Sequence, residues 1–279
     1  FGGGSVSPGG LARASARWAL AAAAMVAVGS ALAAPAVDES APERRPVKVV
    51  APERLKIKTA HGETLVPAYT SSDINKAHPN LKRAVIMVHG RLRDADKYFD
   101  LTMRAAKTAS ASGDTLVIAP QFLNNADTAR HDLAANVARW KTEAWPAGEP
   151  GKAPFALSWF EVRDSIIAQL ADRTRFPNLE RIVVAAHSGG AQFVQRYAVV
   201  GQADKVLAAA GLQPFADGAT TPPDAAKVMR VRYVVANPSS YLYMDATRPS
   251  ASTHCREVNH WRYGFTDPVP YLQGDVKAM

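Results

Sequence analysis

Val183-Val184-Ala185-Ala186-His187-Ser188-Gly189-Gly190-Ala191 is the stretch on which the fold of this chain turns. The run 181–186 is apolar after its first residue and reads as a strand buried on both faces. Residues 189–200 have helical spacing. Ser188 therefore falls on a tight strand-to-helix turn. Side chains two before and two after such a serine would collide with the strand and helix packed beside it. Ala186 and Gly190 meet the demand for small residues, with Ala186 where the pattern Gly-x-Ser-x-Gly has its first glycine. A helix that starts right after the serine aims free N–H groups and a partial positive charge at the hydroxyl. The bare pattern is weak because Gly and Ser are common. Its place between strand and helix is what makes it specific.

The pattern on either side extends this reading. Val85-Ile86-Met87-Val88-His89-Gly90-Arg91 is a second buried strand ending in His-Gly. Residues 84–88, 115–119 and 231–236 are further apolar runs, and 98–111 and 160–170 carry helical spacing. Strands alternating with helices imply crossover connections, so the expected class is α/β with a mostly parallel central sheet and flanking helices. Residues 55–59 and 65–70, separated by His61-Gly62-Glu63, predict a hairpin that gives the sheet an antiparallel edge. Residues 121–154 fit neither period and are too long for a plain connection. They are expected to form a lid or pocket wall. Trp140 and Trp145, costly to leave in water, favour a wall.

Composition sets the outer limits. Apolar residues make up 47% of 279, enough for a packed core, which excludes disorder as the overall state. A single cysteine, Cys255, excludes an intrachain disulfide and a zinc ribbon. The net charge of +8 is scattered, with no Lys/Arg block longer than Arg44-Arg45 and no basic stripe interleaved with aromatics. Nucleic acid is therefore not an expected partner. Arg13 and Arg17, the apolar run 18–27 and Ala31-Leu32-Ala33 follow the three-part layout of a signal peptide over 1–33. An uncleaved anchor is the alternative. Either places the rest outside the cytoplasm, secreted or periplasmic, and the cleaved form has no stable membrane partner. Removing 1–33 takes two arginines and no acid, leaving +6. Residues 34–53, with Pro35, Pro42, Pro46 and Pro52 among mixed charges, predict a linker, and 54–279 a folded domain. Phe1 in place of Met suggests a reading frame cut at its 5′ end.

Three segments resemble the α/β-hydrolase superfamily, and within it a poorly characterised group of bacterial secreted members. They are His187-Ser188-Gly189-Gly190-Ala191-Gln192-Phe193-Val194-Gln195-Arg196-Tyr197, Ala236-Asn237-Pro238-Ser239-Ser240-Tyr241-Leu242-Tyr243 and Trp261-Arg262-Tyr263-Gly264. The likeness covers about residue 54 to the end. It implies an oxyanion hole made by the backbone N–H of Gly189, after the nucleophile, and of Arg91, in the loop after the earlier strand. It implies that His89 bonds that loop and relays no protons. It also implies the chain order serine, acid, histidine. After Ser188 the acids are Asp204, Asp217, Asp224, Asp245, Glu257, Asp267 and Asp275, and the histidines His254 and His260. Ser188, Asp245 and His260 compose one internal set. The resemblance further implies two strands after 231–236, whereas only 269–272 is still apolar-rich, and it contains proline. The last strands, the catalytic acid and the histidine are thus expected beyond Met279, with Asp245 and His260 as the internal alternative.

The activity implied is a serine hydrolase that cleaves a carboxylic ester, small-molecule or lipid-like, through an acyl-enzyme at Ser188. A non-catalytic binding protein of the same fold and an acyltransferase are the alternatives. No cofactor is called for. No metal site is expected either, since His254, Cys255 and His260 have no carboxylate at a metal-motif spacing. Cys255 lacks the strand-turn-helix setting of a nucleophile. Asn237-Pro238-Ser239-Ser240-Tyr241 follows a strand at its C-terminal end, where open α/β sheets bind ligands. Tyr241, Tyr243 and Trp261 either line that pocket or pack its loop.

Overall fold

The apolar runs become strands, and turn chemistry sets their ends. β1 (Glu53–Thr59) and β2 (Gly62–Thr70) open the sheet; β3 (Arg83–Val88) leads into α1 (Ala95–Thr108). β4 (Thr115–Pro120) is followed by α2 (Asn125–Arg130) and α3 (Trp159–Leu170), and β5 (Arg181–His187) by α4 (Gly189–Val200) and α5 (Ala203–Ala209). The two-residue β6 (Gln213–Pro214) and β7 (Val228–Ala236) come last. This computed structural model describes residues 41–214, 228–249 and 257–272. They belong to one unit, Asp38–Met279. The expected signal peptide, 1–33, lies outside the described residues, as do His254, Cys255, Asp217, Asp224 and Asp275.

The strand order is β1-β2-β4-β3-β5-β7-β6. β4, β3, β5, β7 and β6 run parallel, while β2 pairs antiparallel with both β1 and β4. The fold is α/β, with a mostly parallel central sheet and flanking helices. The hairpin is the antiparallel edge that its sequence predicts. It turns at Ala60-His61, one residue earlier than the turn signal suggested, because Gly62 already pairs with Thr59. Gly62 has φ +134°, a conformation that side chains resist.

Burial departs from the sequence reading at one strand. β4 is buried throughout, and β3 and β5 alternate between buried and half-buried. β7, expected to be buried on both faces, leaves Val234 46% and Val235 38% exposed. The reason is its place in the sheet: β6 pairs only with Val228 and Met229, and among the described residues the rest of β7 has no neighbour on that side. Among the described residues no strand follows β7.

Residues 121–154 are packed. Asn124 caps α2 by accepting from the Asp127 N–H at 3.0 Å, while the Asp127 carboxylate accepts from the Asn124 N–H at 2.8 Å. Trp140 and Trp145 are each 1% exposed, and the Trp140 indole donates to the Leu157 carbonyl at 2.8 Å. Ser158 and Glu161 form a second capping box at the start of α3. That helix buries Trp159, Phe160, Val162, Ile166, Ile167 and Leu170 in the core. Each such side chain contributes about 1.5–3 kcal/mol by leaving water.

The expected linker differs more. Its first residues, 34–40, lie outside the described ones, but 41–52 are strapped onto the domain. The Val47 N–H donates to Asp127 at 2.7 Å and the Ala51 N–H to Gln121 at 2.8 Å. Gln121 returns a bond to the Val49 carbonyl at 3.0 Å, and Ala51 is fully buried. Composition reads this proline-rich stretch as a tether, yet backbone groups with buried side-chain partners hold it in place.

Candidate active site

Ser188 stands where extended backbone gives way to helix. β5 ends at His187, α4 begins at Gly189, and Ser188 between them has φ 57° and ψ −124°. A non-glycine residue in this region costs on the order of 1–3 kcal/mol and persists only where its surroundings enforce it. Here the Ser188 N–H donates to the Ala236 carbonyl of β7 at 3.0 Å, and its carbonyl accepts from the Gln192 N–H at 3.2 Å. Its side chain makes no capping bond to α4. The hydroxyl is half-buried, and among the described residues it has no hydrogen-bond partner.

The small residues around it are demanded by contact. A Cβ on Gly190 would stand 2.5 Å from the His89 carbonyl oxygen, 2.7 Å from that of Val88 and 3.1 Å from the Ala186 Cβ. Two of these are backbone atoms of β3 and its loop, which cannot swing aside. β3 and β5 are parallel neighbours with Val88 opposite Ala186, so the loop after β3 lies against the turn at Ser188. A Cβ on Gly189 would lie 2.7 Å from the Arg91 Cγ and 3.3 Å from the Arg91 nitrogen. The Arg91 backbone and side chain are thus packed against Gly189. Neither expected oxyanion donor, the Gly189 N–H or the Arg91 N–H, meets an acceptor among the described residues. The Arg91 guanidinium pairs with Glu143 and lies 3.9 Å from Glu43.

Buried polar groups hold the donor loop. His89 is fully buried, with Nδ1 2.7 Å from the Gly90 carbonyl and Nε2 accepting from the Phe122 N–H at 2.9 Å. The acceptor role of Nε2 fixes the neutral tautomer with its proton on Nδ1. Its ring packs edge-on against Phe122 and Trp145. Both ring nitrogens are occupied by the backbone, which is a structural use. Arg93, with φ 59°, is 1% exposed and grips Asp127 with two bonds, Nε at 2.8 Å and Nη2 at 3.1 Å. The same guanidinium donates to the carbonyls of Glu43 and Arg45, and the Arg93 N–H donates to the Gly90 carbonyl at 3.2 Å. The strap 43–51 and the donor loop are therefore one bonded unit. Sequence reasoning passed over Arg93, Asp127 and Gln121. Only the spacing of Asn124 and Asp127 hints at a cap.

This arrangement has a pH signature. Burial pushes the His89 pKa down to about 4, against the opposing bond to Gly90. Unfolded, the ring takes its proton near pH 6.5. Between these values the unfolded chain binds the proton and the folded one does not. The contribution of His89 is thus fully present above pH 6.5 and lost as pH falls toward 4, by about 3 kcal/mol. Urea unfolding of wild type and His89→Gln across pH 4–7 should show this extra slope in wild type alone. Parallel curves would contradict it.

Among the described residues Asp245 and His260 bond neither to each other nor to Ser188. His260 Nδ1 is 3.0 Å from Asp267, and both side chains are exposed. Asp245 accepts from the Thr247 N–H at 2.7 Å, a bond that holds its carboxyl below the usual range. Asp245 lines an open cavity of about 350 Å³ with Tyr243, Met244, Asn259, Phe265 and Thr266, a lining that does not include Ser188. Of the expected pocket aromatics, Tyr243 lines that cavity and Tyr241 is 49% exposed. Trp261 instead packs on the core and donates to the Ala147 carbonyl at 2.8 Å. Asn237, with φ 48°, ends β7 and reaches His187 at 3.4 Å. Among the described residues no group of three His, Cys, Asp or Glu side chains is placed to hold a metal, and no helix is long and apolar enough to cross a membrane.

No family profile and no curated protein matches the sequence. Several solved structures are similar to it. Poly(aspartic acid) hydrolase-1 from Sphingomonas sp. KT-1 is 20% identical over 79% of this chain and 65% of its own, with a TM-score of 0.43. An arylesterase is 17% identical over 82% of this chain and 57% of its own, with a TM-score of 0.32. The siderophore hydrolase EstB from Aspergillus nidulans is 14% identical over 68% of this chain and 70% of its own, with a TM-score of 0.33. The chain spans less than two thirds of the length of the first two.

Proposed function

We propose that this chain is a secreted or periplasmic serine hydrolase acting on a carboxylic ester, small-molecule or lipid-like. One observation carries the reading. Ser188 is held at φ 57° on a strand-to-helix bend, followed at once by Gly189, with the loop of Gly90 and Arg91 packed against this turn. Such a site suits acyl transfer. The Ser188 oxygen attacks the ester carbonyl carbon and gives up its proton to the histidine base of the triad that the resemblance implies. The carbonyl π electrons move onto oxygen, where the N–H groups of Gly189 and Arg91 and the positive end of α4 stabilise the charge. Collapse re-forms the carbonyl and expels the alkoxide, which takes a proton and leaves as the alcohol. Water then attacks the acyl-Ser188 ester, and the acid departs with the serine proton restored. Strain at Ser188 and the lack of a capping bond keep its oxygen off the α4 amides and available to substrate.

The test is release of p-nitrophenol from short- and medium-chain p-nitrophenyl esters by the full-length gene product. Saturable turnover that one equivalent of a fluorophosphonate abolishes is the expected result. Reversible ester binding without turnover or inactivation would overturn catalysis in favour of a binding protein. Transfer of the acyl group to an added alcohol in preference to water would make it an acyltransferase.

A further inference from the structure

Gly90 separates Ser188 from a second hydroxyl. A Cβ built on Gly90 would stand 3.9 Å from the Ser188 Cβ and 2.9 Å from the phenol oxygen of Tyr98. The phenol oxygen thus takes up space that a methyl on Gly90 would need, within reach of Ser188. Tyr98 is the fourth residue of α1, and α1 packs on β2, β3 and β4. The helix is anchored to the same sheet edge by the turn in which the Arg93 N–H donates to the Gly90 carbonyl.

The hydroxyl is not used elsewhere. Among the described residues nothing accepts the phenol proton. Tyr98 is half-buried, so the oxygen reaches the site without leaving the fold. A half-buried phenol with nothing to donate to is a hydrogen-bond donor awaiting an acceptor. Burial, and Asp94 after it, hold the pKa above its ordinary value, so the proton stays on oxygen through neutral pH.

We propose that the Tyr98 hydroxyl is a third donor at this site, bonding the substrate oxygen that gains charge when Ser188 attacks. The inference rests on the serine-hydrolase reading and deepens it. Two backbone donors come from the loop and from α4; the third is a side chain, and Gly90 leaves room for it, since a Cβ there would stand 2.9 Å from the phenol oxygen. Tyr98 forms no covalent bond and keeps its proton throughout.

Tyr98→Phe in the full chain removes the oxygen and preserves the ring. The expected result is a fall in kcat of about 10²-fold on p-nitrophenyl esters, with KM changed less than about twofold and an unaltered thermal midpoint. A packing role would move the midpoint and leave kcat alone. Incorporating 3,5-difluorotyrosine at 98 keeps the shape and lowers the phenol pKa. The alkaline limb of kcat should then move to lower pH, because a phenolate cannot donate and repels the oxyanion. Turnover by wild type with kcat unchanged in Tyr98→Phe, or with an unmoved alkaline limb in the fluorinated chain, overturns this inference alone. A wild-type chain without ester turnover overturns the serine reading and this inference with it.

Discussion

Ser188→Ala is expected to lower kcat for ester hydrolysis on the order of 10⁶-fold, to the background rate, while the protein stays folded. The size follows from the role: no other hydroxyl takes over covalent attack, so the N–H groups of Gly189 and Arg91 are left with only binding to contribute. Stability should move the other way. Ser188 pays strain at φ 57° and its side chain makes no capping bond, so truncation removes little. Ser188→Gly, which relaxes that backbone, should raise the denaturant midpoint, equivalent to about 1 kcal/mol. Activity lost while stability is gained marks a functional residue. Ala and Gly variants that retain turnover would exclude Ser188 as the nucleophile.

Arg93→Met should cost about 3–5 kcal/mol, a large part of the stability of a domain this size. The pair it breaks is closed off from water: Arg93 is 1% exposed and Asp127 fully buried. Without the guanidinium, Asp127 keeps only the Val47 and Asn124 N–H groups for its charge, and the carbonyls of Glu43 and Arg45 lose their donor. The Arg93 guanidinium also donates to the Arg91 carbonyl at 3.4 Å, in the loop beside Ser188, so activity should fall with stability. Asp127→Leu on top of Arg93→Met should restore part of the loss, because two apolar groups are cheaper to bury than one unpaired charge. Urea melts of the two singles and the double measure this. A loss under about 1 kcal/mol in Arg93→Met would mean that water reaches the pair.

The parts of the fold that local chemistry decides were legible in the sequence. The helix at Gly189–Val200 and the strands at β3, β4 and β5 rest on apolar runs and small residues that permit few alternatives. So does the bend at Ser188, where Gly190 has no room for a methyl. What the sequence hid depends on distant partners. The strap at 41–52 looks like a tether because its anchors, Arg93, Gln121 and Asp127, lie far along the chain. The exposure of Val234 and Val235 follows from the shortness of β6, which their own apolar pattern does not encode. Tyr98 reads as one more residue of a helix until Gly90 is set beside it. Asp245 and His260 share a suitable chain order with Ser188, but order does not fix distance, and His260 takes Asp267 as its partner.

Peptide mapping by mass spectrometry after reaction of the folded chain with a fluorophosphonate locates the covalent chemistry. A single adduct on the peptide carrying Ser188, absent in Ser188→Ala and absent after heat denaturation, is the result expected here. An unmodified folded chain, or an adduct on any other residue, would contradict it.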